Sequence, residues 1–339
     1  MVPGESLQRS WYEGGASPWW ALPLAALYGG VVRFRRALYR RGWLRAQRLP
    51  VPVVVVGNIV AGGAGKTPAT IALVEALRAR GFKPGVVSRG YGGTARGPML
   101  LDARPDPAVV GDEPALIRVR TGAPVAIGAD RPAAAALLPG EGVDVVIADD
   151  GLQHYALARD IEVCVVDGAR GLGNRRLLPA GPLREPPARL DEVDFVVVTV
   201  GDAAGAEGVG SLDLRRGGSA FPMRLRGAVA RNLHDGARRA LTDFSGSRIH
   251  AVAGIGHPPR FFDALRALDI EVVEHAFPDH HRYVCRELDF GDGAPVLMTE
   301  KDAVKCRPFA QPGWWSVPVT GELPDAFFDA VAAAIANRA

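Results

Sequence analysis

The sequence predicts an α/β protein built on a parallel sheet flanked by helices, with a second, smaller α/β unit after it. From residue 51 onward, short β-branched runs alternate with segments whose apolar residues recur at helical spacing. A glycine-rich turn joins the first such run directly to the first helical segment. The 339 residues are 48% hydrophobic and 23% charged, the balance of a folded chain with room for two domains.

The first unit, residues 51–205, takes its strands from five apolar runs. They lie at 51–56, 84–88, 143–148, 161–166 and 195–200. A helix is expected over 70–80, and Pro68 suits its first turn. After residue 200 the stretch GDAAGAEGVGSLDLRRGGSA has no hydrophobic period, so the sequence predicts a domain boundary there.

The second unit, residues 206–339, repeats the strand and helix pattern on a smaller scale. Strands are expected at 221–226, 249–254, 270–275 and 295–299, with a helix at 259–268. A last helix over 324–337 is expected to pack four apolar side chains onto one of the domains: Phe327, Phe328, Val331 and Ile335.

Residues 1–50 form an N-terminal segment that is aromatic, aliphatic and basic. Its apolar run, 18–32, is shorter than the about 20 residues of a membrane span, and Pro23 interrupts it. Amphipathic aromatic residues and arginines nevertheless suit a membrane surface: Trp19, Trp20, Tyr28, Tyr39, Trp43, Arg33, Arg35, Arg36, Arg40, Arg41, Arg45 and Arg48. A helix packed on the body of the protein would explain the same pattern, and both interpretations remain open.

Composition excludes several classes of protein. The net charge is +3, and the excess of arginine over lysine is a compositional habit that does not indicate nucleic-acid binding. Cys164, Cys285 and Cys306 lie far apart without CxxC spacing, which argues against a disulfide framework or a zinc cluster. The basic residues follow the first apolar run, so a secretory signal is not expected. A reducing, cytoplasmic setting fits these features.

The glycine-rich turn has the composition of a phosphate-binding loop. Such a loop needs glycines that free backbone N–H groups, a lysine for the β- and γ-phosphates and a hydroxyl for Mg²⁺. The chain supplies Gly62, Gly63, Ala64, Gly65, Lys66 and Thr67 in that order. The strict pattern has glycine at position 60, where this chain has Val60. The alternative is a glycine-rich turn with an incidental Lys-Thr pair.

Two carboxylates follow another predicted strand. VDVVIADDG places Asp149 and Asp150 at the C-terminal end of an apolar run, at the same sheet edge as the loop if the strands are parallel. Adjacent carboxylates at a buried strand end are costly unless a cation or hydrogen bonds offset their repulsion. Beside the loop they indicate an Mg²⁺-dependent enzyme that uses a nucleoside triphosphate, whereas alone they could be a solvated turn.

Eight short sequence blocks follow one another along the chain. The blocks are VGNIVAGGAGKTP (56–68), SRGYGG (88–93), GDEP (111–114), ADDGLQH (148–154), LLPAGPLREP (177–186), GIGHPPRFF (254–262), FPDHH (277–281) and MTEKDAVK (298–305). This set resembles the tetraacyldisaccharide 4'-kinase family, the lipid A 4'-kinases. The resemblance implies a P-loop NTPase-like fold, ATP and Mg²⁺ as cofactors, and transfer of the γ-phosphate to the 4'-hydroxyl of a tetraacylated glucosamine disaccharide 1-phosphate. The phosphate-binding loop of that family also lacks the first glycine of the strict pattern, which accounts for Val60 in this chain.

The resemblance further implies roles for individual residues. Lys66 and Thr67 would bind phosphate and Mg²⁺, Asp149 and Asp150 would form the metal site, and Glu185 would contact the nucleotide. Asp112 and His280 would form a catalytic pair beside the acceptor hydroxyl, while Arg89, Gln153 and His154 would lie close to phosphate or acceptor. Asp112 could instead cap a helix that begins at Glu113. The segment around His280 could be a surface loop or a weak metal site, and Arg89 could belong to a plain turn.

A lipid acceptor requires an enzyme that stays at the membrane surface. The resemblance therefore implies a peripheral enzyme at the cytoplasmic face of the inner membrane, held by its N-terminal segment, without nucleic acid or an obligatory protein partner. Two rival functions remain at this stage. One is a partitioning or metal-insertion ATPase in which hydrolysis switches a dimer, and the other is a nucleic-acid or membrane adaptor with a vestigial loop.

Overall fold

The computed structural model describes residues 10–12, 17–201 and 219–338. Its larger sheet contains β1 (Val53–Gly57), β2 (Pro84–Ser88), β3 (Met99–Leu100), β4 (Val125–Ile127), β5 (Val145–Asp149), β6 (Ile161–Asp167), β7 (Phe195–Val200), β8 (Ser219–Arg226) and β15 (Thr320–Glu322). The smaller sheet contains β9 (Val229–Asn232), β10 (Arg238–Ala240), β11 (Arg248–Ala253), β12 (Glu271–Ala276), β13 (Val296–Thr299) and β14 (Trp314–Val317).

Helices flank both sheets. They are α1 (Ala21–Arg40), α2 (Lys66–Ala79), α3 (Pro107–Val110), α4 (Asp112–Thr121), α5 (Arg131–Ala135), α6 (Pro258–Arg266), α7 (Glu300–Cys306) and α8 (Asp325–Ala336). The predicted α/β class is confirmed. The sequence pattern missed β3, β4, β9, β10, β14 and β15, which are two to four residues long.

The larger sheet runs in the order β15-β8-β7-β6-β1-β5-β2-β4-β3. β1 lies between β6 and β5 and is parallel to both, and β5 pairs in parallel with β2. The carboxyl ends of β1, β5 and β2 therefore meet at one edge. Helices cover both faces, which explains why the central strands are almost continuously apolar. Every residue of β1 is buried.

One strand belongs to a different sheet from the one expected. The run 221–226 was assigned by its position to the second unit, but β8 pairs in parallel with β7 and extends the larger sheet. The pairing of β15 with β8 also returns the chain to that sheet. Period and composition cannot identify a strand's neighbours, so this assignment was wrong. The boundary near 205 lies outside the described residues and stays a prediction.

The C-terminal helix packs its predicted apolar face onto the larger sheet, a choice of sheet that the sequence had left open. Phe327, Phe328, Val331 and Ile335 join the core that also contains β1, β5, β6 and α2. The Phe327 ring contacts the rings of Phe195 and Phe221 edge-on, at centroid distances of 5.9 and 5.3 Å. The end of the chain is thus integral to the core of the first sheet.

We expect Phe327→Ala to lower the free energy of unfolding by about 3–5 kcal/mol, because it leaves a cavity in this aromatic cluster. Urea unfolding followed by circular dichroism measures the change. Ala333→Ser on the exposed face of the same helix is the control, with an expected change of about 0.5 kcal/mol or less. Equal effects of the two variants would contradict the assignment of α8 to the core.

Candidate active site

The glycine-rich loop joins β1 to α2 and surrounds the N-terminus of that helix. Gly62 and Gly65 have φ values of +112° and +89°, in the left-handed region that favours glycine. Gly65 is the N-cap residue of α2, so the helix begins at Lys66 with backbone N–H groups directed at the loop. A helix N-terminus framed in this way favours an anion, through both its free donors and its dipole.

The structure explains why valine can occupy position 60, where the strict loop pattern has glycine. It is 7% exposed and forms a β-bridge with Leu183 in the segment that follows β6. A residue in an extended bridge does not need the conformational freedom of glycine, and its side chain packs in the core on the second face of the sheet. The departure from the strict loop pattern is therefore compatible with a phosphate-binding geometry.

Asp150 lies beside the loop within a cluster of opposite charges. Its carboxylate is 3.6 Å from Lys66 Nζ and accepts hydrogen bonds from Arg184 Nη1 at 3.1 and 3.2 Å. Burial alone would raise the pKa of Asp150, but the charges of Lys66 and Arg184 and the Arg184 hydrogen bond outweigh it and lower that pKa. The carboxylate is therefore ionised at neutral pH.

Asp149 is more deeply buried and has fewer partners. It is 1% exposed and accepts a hydrogen bond from Thr70 Oγ1 at 3.0 Å. Burial and the negative charges of Glu113 and Asp150 raise its pKa well above the usual range, against the opposing charge of Lys66. A buried carboxylate beside a second one is a site that a divalent cation would stabilise.

The donor set at this edge fits Mg²⁺. The residues are the two carboxylates of Asp149 and Asp150 and the hydroxyl of Thr67, all oxygen donors, which Mg²⁺ prefers. Within the described residues no group of three His, Cys, Asp or Glu side chains is arranged to hold a metal. Mg²⁺ in phosphoryl-transfer sites usually takes one or two carboxylates together with substrate phosphates and water, so these residues suffice.

Asp112 and His280 meet across the two sheets. His280 Nδ1 lies 3.1 Å from Asp112 Oδ2, although the residues are 168 positions apart. Burial raises the pKa of Asp112, but its hydrogen bond with His280 and the charges of Lys305 and Lys301 lower it overall. An ionised Asp112 can accept a hydrogen bond from Nδ1–H, and in that tautomer Nε2 has the free lone pair that a base needs.

The backbone around this pair argues against two alternatives that the sequence left open, a helix cap at Asp112 and a surface loop around His280. Gly111, with φ +93°, is the N-cap residue of α4, and Asp112 is its first helical residue without a capping hydrogen bond. The Asp112 side chain instead faces His280, whose own φ of +62° turns the loop inward. The ring of Tyr91 contacts that of His280 edge-on at 5.1 Å. His280 therefore belongs to a packed, inward-facing loop.

A single cleft of about 840 Å³ receives these groups from both sheets. Its lining includes the loop residues Gly62–Pro68 together with Asp150 and Arg184 from one side and His280 and Lys301 from the other. Lys301 Nζ pairs with Asp279 at 3.0 Å and with Glu113 of α4 at 3.4 Å, which ties the two sides together. The volume is in the range of a nucleotide or other small-molecule site.

The three residues expected near phosphate or acceptor also line the cleft. Arg89 follows β2, whereas Gln153 and His154 follow β5. Gln153 Nε2 donates to the carbonyl of Asn58 at 3.0 Å and so holds the start of the phosphate loop. Burial and the charge of Arg131 lower the pKa of His154 to about 4, so its ring is neutral at physiological pH.

Arg131 is a cleft residue that the sequence analysis missed. It is the first residue of α5, is 4% exposed, and donates from Nη1 to the carbonyl of Asp150 at 3.3 Å. Within the described part of the chain its Nε has no hydrogen-bond partner. A buried guanidinium with a free donor at a cleft is suited to a phosphate oxygen. The arginine after the apolar run VAIGAD was its only signal in the sequence.

The structure does not bring Glu185 to the cleft. It is 1% exposed, and its carboxylate oxygens are bonded to Arg189 Nε and the Tyr155 hydroxyl. Arg189 also pairs with Glu162, so Glu185 is one part of a buried ionic network. Direct nucleotide contact by Glu185 is not supported by this geometry, because both oxygens are already engaged. Its neighbour Arg184 is the residue of this block that reaches the cleft.

Helix α1 presents large apolar side chains to the outside. Trp20, Leu24, Leu27, Val31 and Phe34 are 45–67% exposed and recur at helical spacing along one stripe. Small residues on another face, Ala21, Ala25 and Gly29, are buried against the body of the protein. One face of α1 is therefore packed on the body of the protein, and contact of its exposed apolar stripe with a membrane surface stays a prediction. In the described chain, no helix is long and apolar enough to cross a bilayer.

Comparison with known proteins supports the nucleotide site. A family model described as LpxK, tetraacyldisaccharide-1-P 4'-kinase, matches residues 17–336. The structure of LpxK from Aquifex aeolicus in complex with ATP is similar, with a TM-score of 0.77 and 29% sequence identity. That match covers 93% of this chain and 98% of the other.

Close relatives have the same description. The tetraacyldisaccharide 4'-kinase of Stenotrophomonas maltophilia is 54% identical over 327 residues, covering 95% of this chain and 94% of that protein. The tetraacyldisaccharide 4'-kinase of Azoarcus sp. is 54% identical over 316 residues, covering 92% and 90%. With a loop at the end of β1, acids at the end of β5 and matches along nearly the whole chain, this protein belongs to the tetraacyldisaccharide 4'-kinase family.

Proposed function

We propose that this protein is an ATP-dependent kinase that phosphorylates the 4'-hydroxyl of a tetraacylated glucosamine disaccharide 1-phosphate, a lipid A precursor. The observation that carries the proposal is the shared cleft: Lys66 and Asp150 line one side and His280 the other. Phosphoryl transfer needs a phosphate cradle and a base for the acceptor within one site, and this arrangement supplies both. The family relationship identifies the acceptor class.

Residues of the larger sheet hold the phosphates. Backbone N–H groups of Gly62–Gly65 and the ammonium of Lys66 bind the β- and γ-phosphates, and Lys66 stabilises the charge that develops during transfer. Thr67, Asp149 and Asp150 would hold Mg²⁺, which would neutralise charge on the phosphate oxygens. The unpartnered Nε of Arg131 supports a further contact with a phosphate oxygen. Arg89 and His154 line the part of the cleft available to the acceptor sugar.

His280 acts as the general base. Its Nε2 accepts the proton of the sugar hydroxyl, while Asp112 fixes the Nδ1–H tautomer and stabilises the imidazolium that forms. The 3.1 Å contact and the lowered pKa of Asp112 support this role. A base placed across the cleft from Lys66 suits activation of an acceptor hydroxyl that enters between the two sheets, so the pair favours a kinase over a switch ATPase, in which a residue need only orient a water.

The direct test is incubation with [γ-³²P]ATP, Mg²⁺ and the disaccharide 1-phosphate acceptor in detergent micelles, followed by chromatography of the lipid phase. We expect a labelled lipid with the wild-type protein and a loss of at least about 100-fold with Lys66→Ala, because the cation on the transferred phosphoryl group is removed. Lys83→Ala, a lysine remote from the cleft lining, serves as the matched control. Release of labelled phosphate without labelled lipid would support the ATPase rival instead.

A second prediction concerns the base. We expect His280→Ala to lower kcat by about 10²–10⁴-fold, the usual contribution of a general base, with a much smaller change in the dissociation constant for ATP. Steady-state kinetics and nucleotide titration measure the two quantities. His281→Ala is the control, since the neighbouring ring bonds Glu287 outside the cleft lining. A kcat within about twofold of wild type for His280→Ala would rule out the base assignment.

We further infer that α1 lies on the membrane surface, at the cytoplasmic face of the inner membrane. Its outer stripe of large apolar side chains can enter the headgroup region, and exposed arginines such as Arg33, Arg40 and Arg41 can contact anionic lipid. Arg35 of the same helix reaches the carbonyl of Gln153 at 3.5 Å, beside the cleft. A bilayer contacting α1 would therefore present a lipid-linked sugar close to the catalytic groups.

We expect the double variant Leu27→Ser/Phe34→Ser to reduce binding to anionic phospholipid vesicles by at least about tenfold. Each side chain is two-thirds exposed, and burial of a large apolar side chain contributes about 1.5–3 kcal/mol. Co-sedimentation measures the bound fraction. Val109→Ser, an apolar side chain 37% exposed on α3, is the control. Undiminished sedimentation of the double variant would place the anchor elsewhere.

A further inference from the structure

We propose that the N-terminal helix also positions the phosphate site, with Tyr28 as the positioning residue, through a segment called here the strap, residues 177–184. The inference rests on the proposed function for its meaning in catalysis. It assigns to α1 a second task besides contact with a membrane. The chain of contacts runs from α1 to the strap, and from the strap to the phosphate loop and Asp150.

Three side chains of the N-terminal segment donate hydrogen bonds to strap carbonyls. Trp11 Nε1 donates to Pro179 O at 3.2 Å, Ser17 Oγ to Ala180 O at 2.7 Å, and the Tyr28 hydroxyl to Arg184 O at 3.1 Å. The strap has no helix or long strand of its own to satisfy these carbonyls. Bonds near and within the strap, such as Leu178 N–H to Leu183 O and Asn174 Nδ2 to Ala180 O, both at 2.9 Å, act together with these side chains to fix its backbone.

Close packing reinforces these bonds. Ala21 and Ala25 of α1 form a small buried cluster with Ala180, and Leu177 packs against it. A Cβ at Gly29 would lie 2.7 Å from Leu177 Cδ1, which is closer than side-chain atoms approach. Small residues on one face of α1 therefore allow the helix to approach the strap closely, and larger residues there would push it away.

The strap in turn pairs with the phosphate loop. Ala61 N–H donates to Pro182 O at 2.7 Å, Arg184 N–H donates to Ile59 O at 2.7 Å, and Val60 bridges Leu183. These contacts cover the three residues immediately before Gly62. The loop that cradles phosphate is therefore anchored on one side by β1 and on the other by the strap.

The last strap residue carries the connection into the charge cluster. Its carbonyl accepts the Tyr28 hydrogen bond, while its guanidinium donates to both oxygens of Asp150 at 3.1 and 3.2 Å. Asp150 also faces Lys66 at 3.6 Å. One residue, Arg184, thus contacts the membrane-facing helix through its backbone and the metal carboxylate through its side chain. A shift of this backbone would misalign the guanidinium on Asp150.

The test uses Tyr28→Phe in the full chain, which removes one hydroxyl and keeps the ring. We expect the dissociation constant for Mg·ATP to rise about fivefold, the effect of one neutral hydrogen bond, with a similar fall in kcat. Vesicle co-sedimentation is expected to be unchanged. Tyr39→Phe is the matched control, because the Tyr39 hydroxyl of the same helix makes no hydrogen bond within the described residues and its ring stays against Tyr155.

A double-mutant cycle separates positioning from a general structural effect. In an Arg184→Gln background, Tyr28→Phe is expected to have no further effect on Mg·ATP binding, because the guanidinium that it positions is absent. If the fold-changes in the dissociation constant of the two single variants instead multiply in the double variant, Tyr28 does not act through the Arg184 guanidinium. Ser17→Ala, which removes one of the two side-chain donors to Ala180 O and leaves Asn174 Nδ2, is a second variant with an expected change of about twofold in the same direction.

The outcomes distinguish this inference from the proposed function. A dissociation constant for Mg·ATP and a kcat within about 1.5-fold of wild type for Tyr28→Phe would overturn the positioning role. An equal effect of Tyr39→Phe would overturn it as well. So would a loss of vesicle binding together with nucleotide binding. Absence of a labelled lipid product from the wild type would instead refute the kinase assignment. In that case the titration of Mg·ATP still decides the role of Tyr28, because it does not depend on transfer.

Discussion

The structure of this site depends on the repulsion between two adjacent carboxylates at the end of β5. β5 lies between β1 and β2, and Asp149 is 1% exposed there, whereas the side chain of Asp150 is 31% exposed and lines the cleft. Lys66 and Arg184 compensate Asp150, whereas Asp149 has the Thr70 hydroxyl and a raised pKa. Asp149 therefore has less compensating positive charge than Asp150, close to the point where α2 begins after the phosphate loop. A bound Mg²⁺ ion would supply that charge.

A second constraint is that Asp112 and His280, the proposed catalytic pair, come from different sheets. Asp112 begins α4 on the larger sheet, whereas His280 follows β12 on the smaller one. Salt bridges around the pair keep the elements together: Lys305 lies 3.5 Å from Asp112, and Arg120 of α4 pairs with Glu300 of α7 at 2.6 Å. Glu300 and Lys305 both belong to α7, the helix that follows β13 of the smaller sheet. Its charges thus link the sheets beside the cleft.

The N-terminal helix relates the site to its surroundings. Its large apolar residues face outward and its small residues face the strap, so one amphipathic element contacts both the exterior and the segment that supports the phosphate loop. Buried ionic groups such as Glu185, Arg189 and Glu162 stabilise the segment that follows the strap. Glu185 therefore belongs with the support of the site, although its neighbour Arg184 reaches the cleft.

The sequence alone determined the features that depend on local order. Gly62, Gly65 and Lys66 lie within five residues of one another, so the loop could be predicted from the sequence. The apolar run before Asp149 is itself a strand signal, so the position of the two acids and the α/β class could be predicted as well. The family resemblance added Asp112 and His280, whose 168-residue separation no local pattern connects. Only the tertiary structure decided that β8 joins the first sheet, that Glu185 is enclosed by Arg189 and Tyr155, and that Arg131 faces the cleft. Strand neighbours, burial and ion pairs depend on contacts between distant parts of the chain, and the order of residues does not specify those contacts by itself.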